Sequence, residues 1–168
     1  LFSGEAHLED TLRQMHAPQA TTIFCVDDDD DDNIAVAAAI HQMPCLPGHQ
    51  PTCFVQIGDP LLFSLMAEAD LKTSHRGCAD LEYFNPYDRG ARELLNAFPL
   101  LGEADGPPPR LVLAGLGALG ERLLIHTVRT WWRLGPPGQQ LPITLVAPDA
   151  SGRLATLTAR YPVLHQLI

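Results

Sequence analysis

Short continuous apolar runs take turns along this chain with longer stretches of spaced apolar residues, which is the pattern of strands alternating with helices. Thr21-Thr22-Ile23-Phe24-Cys25-Val26 and Thr52-Cys53-Phe54-Val55-Gln56-Ile57 are β-branched and aromatic runs of the kind that fill buried parallel strands. Two further runs, Leu111-Val112-Leu113-Ala114 and Pro142-Ile143-Thr144-Leu145-Val146, lie towards the C-terminal end, and Leu1-Phe2-Ser3 reads as the tail of another strand. Between them Leu8, Leu12 and Met15 recur at helical spacing, with Glu9 and Asp10 in the early turns, where negative charge suits the helix dipole. Asn33 and the alanine-rich run after it predict a helix over 33–43 with little polar surface, mostly buried. Leu62, Leu65, Met66 and Ala69 mark a helix over 61–71, and a short helix is expected over 88–97. Leu124, Ile125, Val128 and Trp131 form the buried stripe of a helix over 121–134, leaving His126 and Arg129 at its solvated rim. A last helix over 151–160 has Ser151 as its expected N-cap.

The alternation is interrupted between the two groups of runs. Residues 76–109 read as a helical, proline-rich linker that ends in three prolines, with residues 1–75 before it and 110–168 after it. Strands alternating with helices imply an α/β fold, a Rossmann-like parallel sheet with helices on both faces.

The most specific motif is Gly115-Leu116-Gly117-Ala118-Leu119-Gly120, a G-x-G-x-x-G that follows an apolar run and opens an amphipathic one. In that context Gly115 allows a tight turn, Gly117 lets the backbone come close to a pyrophosphate, and Gly120 lets the helix pack closely on the strand. The phosphate would sit on unpaired amides at the helix N-terminus, so a dinucleotide or other adenine nucleotide is the expected ligand, and a turn kept for packing alone is the competing account. Asp149, just beyond the next strand, is either the ribose partner or a cap of the following helix. A nucleotide-binding unit should begin with this motif, yet three strand candidates precede it. The two segments therefore fold either as one sheet in permuted order or as halves completed by dimerisation or strand exchange.

Composition narrows the function classes. A chain of 168 residues, 46% hydrophobic and 18% charged, suits one domain with a sizeable core. The net charge of −9 argues against nucleic-acid and anionic-membrane partners, but not against a nucleotide held by backbone amides. No apolar run approaches the roughly 18 residues of a membrane helix, so a cytoplasmic location without membrane insertion of this part is expected. The start, Leu1-Phe2-Ser3-Gly4, lacks a methionine and reads as the middle of a longer protein.

Cys25, Cys45, Cys53 and Cys78 show no CxxC spacing and read as reduced thiols. His41, Cys45, His49 and Cys53 recur at steps of four, but Pro44, Pro47, Gly48 and Pro51 break the helix such a metal site would need. The six aspartates at 27–32 are either an acidic helix cap or a hard-cation site, though without the alternating ligands and closing glutamate of an EF-hand loop. No G-x-S-x-G, H-E-x-x-H or P-loop GK[ST] is present, so no catalytic residue is assigned.

Gly4-Glu5-Ala6, Val26-Asp27-Asp28-Asp29, Asn33-Ile34 with Ala37 and Ala38, and Val55-Gln56-Ile57-Gly58-Asp59-Pro60 together resemble the second half of a TrkA-N domain. That is the nucleotide-binding part of the regulators of potassium conductance (RCK) and of Trk-type potassium uptake proteins. The stretch from Leu113 through Gly120, with Ile143-Thr144-Leu145-Val146, resembles the first half. The resemblance implies a Rossmann sheet that binds NAD(H), or ATP, ADP or a cyclic dinucleotide in relatives, and controls an attached potassium channel or transporter pore through the geometry of a homodimer. Carried over residue by residue, Gly115, Gly117 and Gly120 match the phosphate loop, Gly4, Glu5 and Ala6 the turn after the third strand, and Asp27 and Asp28 the acidic pair after the fourth. The acid that usually ends the second strand is missing, since Ala147-Pro148 follows Val146 and Asp149 comes later. The expected function is a non-catalytic nucleotide-sensing domain; the alternatives are a cofactor-binding fragment of an NAD(P)-dependent oxidoreductase and a degenerate Rossmann module with no ligand.

Overall fold

The computed structural model describes residues 4–44, 46–72, 77–100, 109–162 and 164. The chain divides into two compact units, Leu1–Pro86 and Tyr87–Ile168. The strand expected at 1–3 and most of the proline-rich stretch at 102–109 lie outside the described residues.

In the first unit, α1 (Glu9–Gln14) and a single 3₁₀ turn (Ala17–Gln19) precede β1 (Thr22–Cys25), α2 (Asp30–Gln42), β2 (Thr52–Gln56), α3 (Pro60–Lys72) and β3 (Asp80–Phe84). The strands are parallel in the order β1-β2-β3, with Thr22 opposite Thr52 and Thr52 opposite Asp80. Parallel neighbours need a crossover, which α2 and α3 supply. Leu12, Ile40, Cys53, Val55 and Ile57 are at the centre of the core. In the second unit α4 (Pro86–Ala97) is followed by β4 (Leu111–Ala114), α5 (Ala118–Leu134), β5 (Ile143–Val146) and α6 (Ala150–Arg160). β4 and β5 pair in parallel, and Leu116, Leu124, Ile125, Val128 and Trp131 belong to the core beside them. Both units are thus α/β and Rossmann-like, with parallel strands. No helix among the described residues is long and apolar enough to cross a membrane.

Several local expectations change. Part of the supposed linker is β3, which pairs with β2 from Asp80 to Phe84. Its polar alternation, Asp80-Leu81-Glu82-Tyr83, is that of a strand at a sheet edge and lacks the apolar run that marks a buried one. α4 begins at Pro86, two residues before the expected start, because proline suits the first helical position. The strands are not buried on both sides: Phe24 is 64% exposed and Val112 66%, since only alternate residues face a core. α2 likewise buries one stripe, Asn33, Ala37 and Ile40, rather than most of its surface. Ser151 lies inside α6 and does not cap it. The N-cap position falls to Asp149, which takes the left-handed conformation at φ 51°.

One buried group in α5 has no partner. The Thr127 hydroxyl oxygen makes no hydrogen bond, although the residue is buried against the core. Valine has nearly the same shape and no polar group to desolvate, so Thr127→Val is expected to stabilise the fold by about 1 kcal/mol. Urea unfolding checks this; a lower midpoint in the variant contradicts it.

Candidate functional site

The glycine turn leaves the carboxyl end of β4. The Gly115 N–H donates to the Val146 carbonyl at 2.8 Å, so the turn and the Ala147-Pro148-Asp149 loop leave the same sheet edge side by side. Each glycine has a separate reason to be glycine. Gly115 sits at φ 100°, a conformation that side chains strongly disfavour. A Cβ on Gly120 would overlap the carbonyl oxygen of Gly115 and lie 3.2 Å from its carbonyl carbon, so the first turn of α5 packs directly on the strand-end turn. Gly117, the residue before α5, has an ordinary φ of −82° and nothing within 4 Å of where a Cβ would be. Its side faces open space, which is what a ligand approaching the backbone requires.

Leu116 anchors the turn by burying its side chain in the core, while Ala118 and Leu119 are exposed on the first turn of α5. The carbonyl of Leu116 also accepts a hydrogen bond from the Arg153 guanidinium of α6. Nothing in the motif pointed to this arginine. Its place four residues beyond Asp149, in the opening turns of the helix after β5, is the signal that locates it at this edge. Asp149 is exposed and makes no side-chain capping bond; its carboxylate lies over Gly152, 2.6 Å from where a Cβ there would be. One cavity of the second unit, of about 750 Å³, lies elsewhere, between β5 and α6, and its lining, from Ile143 to Thr158 and Ala159, has no titratable side chain.

In the first unit Gly4, Glu5, Ala6 and Asp27 line one cavity of about 640 Å³ together with Cys25, Asp32 and Asn33. Asp28 is exposed and outside that lining. With three carboxylates and neither lysine nor arginine around it, this cavity suits a neutral or cationic group and disfavours a phosphate. His7 stands 3.6 Å from Glu5 at its mouth.

The carboxyl edge of this sheet is held by side chains from its own loops. Asn33, 2% exposed, accepts the Asp27 N–H at 2.7 Å and donates to the carbonyls of Asp27 at 2.8 Å and Gln56 at 3.2 Å. Asp29 caps α2 by accepting the Asp31 N–H at 2.8 Å. The two oxygens of Asp30 accept the N–H groups of Gly58 and Asp59 at 2.7 and 2.8 Å, and Asp59 in turn caps α3 through Leu61 and Leu62. Asn85 donates from beyond β3 to the carbonyls of Ile57 and Gly58. The aspartate run therefore works as caps and a clasp. The buried asparagines were not foreseen; their signal is a polar residue placed where a strand ends or a helix begins.

The spaced histidines and cysteines do not converge. His41 Nδ1 is 3.0 Å from the Ala79 carbonyl and His49 Nε2 2.8 Å from that of Ala20, while Cys45 lies outside the described residues. Cys53 instead meets Cys25, with 3.6 Å between the sulfurs. Hydrogen bonding from Cys53 holds the Cys25 thiol below its usual range, against the opposing effect of burial. The same contact, with burial, pushes Cys53 far up. His126 is not at a solvated rim: its side chain is 12% exposed and sits 2.6 Å from Asp88 of α4, which also pairs with Arg92 at 2.9 Å. No protein-family model matches the chain, and neither does any curated protein or solved structure.

Proposed function

We propose that the glycine turn holds the phosphates of an adenine nucleotide or dinucleotide, NAD(H) foremost, and that the chain is a non-catalytic sensing domain. The observation that carries this is the division of labour among the three glycines: two are required by turn geometry and packing, whereas no described atom stands where a side chain on Gly117 would be. A glycine whose missing side chain leaves open space at a helix N-terminus fits a phosphate approaching the backbone. Arg153, beside the turn, adds positive charge, and Asp149 is the acid available for a ribose hydroxyl. The potassium-transport setting, a channel or uptake system, comes from the motif resemblance. A homodimer would supply cover for apolar sheet residues such as Phe24 of β1 and Val112 of β4, because parallel sheets are ordinarily covered on both sides.

Thermal unfolding with NADH, ATP and ADP, in the wild type and in Gly117→Ala, tests the reading. An alanine at position 117 meets no atom and adopts an ordinary φ, so only the weaker N-cap preference of alanine is lost and the free variant is expected to melt within about 5 °C of wild type. A nucleotide at a hundredfold its Kd should stabilise the wild type by about 2.7 kcal/mol, and the variant far less. No shift with any of the three nucleotides would leave a packing turn; hydride transfer from NADH to a substrate would make the chain an oxidoreductase fragment. Light scattering decides the oligomeric state, and a strict monomer removes the dimer.

A further inference from the structure

Cys25 ends β1 and Cys53 lies in β2, and the register, Ile23 opposite Cys53 and Cys25 opposite Val55, puts both thiols on one face of the sheet. Their sulfurs are 3.6 Å apart in the core. A buried cysteine ordinarily serves as a small apolar side chain. Two features set this pair apart. Each thiol has the other as its hydrogen-bonding neighbour, and Cys25 is part of the lining of the cavity that Gly4, Glu5 and Asp27 surround. Cys53 is fully buried and is not part of that lining, so a reagent in the cavity meets Cys25 first.

We propose that Cys25 and Cys53 are a peroxide-responsive pair, with Cys25 the thiol that reacts from the cavity and Cys53 the thiol that resolves it into an intramolecular disulfide. The Cys25 sulfur attacks one oxygen of hydrogen peroxide, the O–O bond breaks, and the thiol proton and the leaving hydroxide depart as water, leaving a sulfenic acid. The Cys53 sulfur then attacks the Cys25 sulfur; the S–O bond breaks, the Cys53 proton joins the leaving hydroxide, and a second water is released. Both thiols are oxidised and peroxide is reduced to two waters, so no further reactant is needed.

The closeness of the sulfurs serves the second step. A disulfide needs about 2.05 Å between sulfurs, and the register sets the two residues diagonally, two positions out of step, so closing the 3.6 Å gap takes a backbone shift at the end of β1, where Cys25 is the last residue, as well as side-chain rotation. The cavity also selects the oxidant. Glu5, Asp27 and Asp32 line it and the chain carries −9, so an anionic disulfide such as oxidised glutathione is repelled while small, neutral hydrogen peroxide is not. Access from the cavity assigns the two roles, and hydrogen bonding from Cys53, which favours the thiolate form at Cys25, agrees with them.

The test uses the full reduced chain. After hydrogen peroxide treatment, the remaining thiols are alkylated in denaturant and the peptides mapped by mass spectrometry, using a protease that cuts between Cys25 and Cys53. The expected product is a monomer with a Cys25–Cys53 cross-link, lighter by two hydrogen atoms and restored by dithiothreitol, while oxidised glutathione at equal concentration gives markedly less. Cys53→Ala should leave a Cys25 sulfenic acid that dimedone traps, and Cys25→Ala should give neither product. The inference is overturned if wild-type Cys25 and Cys53 both remain alkylatable, or if Cys25 is over-oxidised to the sulfinic acid with Cys53 still free. The wild-type measurement stands whether or not either variant folds.

Discussion

Gly120→Ala is expected to destabilise the second unit by about 2 kcal/mol and to disrupt the proposed nucleotide site with it. Two effects compete. On propensity alone, alanine inside a helix gains about 1 kcal/mol over glycine. Against this, the new Cβ would overlap the Gly115 carbonyl oxygen and stand 3.2 Å from its carbonyl carbon, and both atoms belong to backbone that cannot rotate away. Forcing such contacts apart shifts the main chain, at a typical cost of 1–3 kcal/mol or more. The displaced group is Gly115 itself, already at φ 100° and hydrogen-bonded through its N–H to Val146, so movement there also disturbs the β4–β5 ladder. The clash therefore wins. Equilibrium unfolding measures the cost, and an alanine variant as stable as wild type would show that the helix does not rest on the turn. Beside the tolerated Gly117→Ala, this variant separates packing from ligand approach.

Asn33→Ala should have an effect of similar or greater size, a loss of about 3 kcal/mol. The side chain is buried and makes three hydrogen bonds, one accepted from the Asp27 N–H and two donated to the carbonyls of Asp27 and Gln56. Removing it leaves a backbone N–H without its partner in a part-buried site, and such groups cost about 1–3 kcal/mol each. Gln56 still donates to the Asp27 carbonyl at 3.1 Å and limits the damage on that side. Asp27 also lines the first unit's cavity, so hydrogen exchange at its amide should rise together with the loss of stability. An unchanged midpoint would mean that water replaces the asparagine without cost.

The Thr127, Gly120 and Asn33 variants probe groups that differed greatly in how far the sequence betrayed them. The fold of the glycine turn was legible, since the strand, the three glycines and the amphipathic helix are contiguous and the roles of Gly115 and Gly120 follow from local backbone geometry. The four strands with apolar runs were legible for the same reason. β3 was not, because two of its first three residues are acids and it lies at the sheet edge, where one face and one backbone edge need no apolar cover. His126 looked like a rim residue until α4 brought Asp88 to it across 38 positions of chain.

The four apolar strands, the helices next to them and the glycine turn can thus be read along the chain, because interactions between residues close in sequence set them. Long-range packing alone brings Cys25 to Cys53 across 28 positions, Asp30 to the Gly58 and Asp59 amides, and Arg153 to the glycine turn. Those pairings depend on which strands lie side by side and in what register. A register is set by the fit of whole faces, so no single residue carries it.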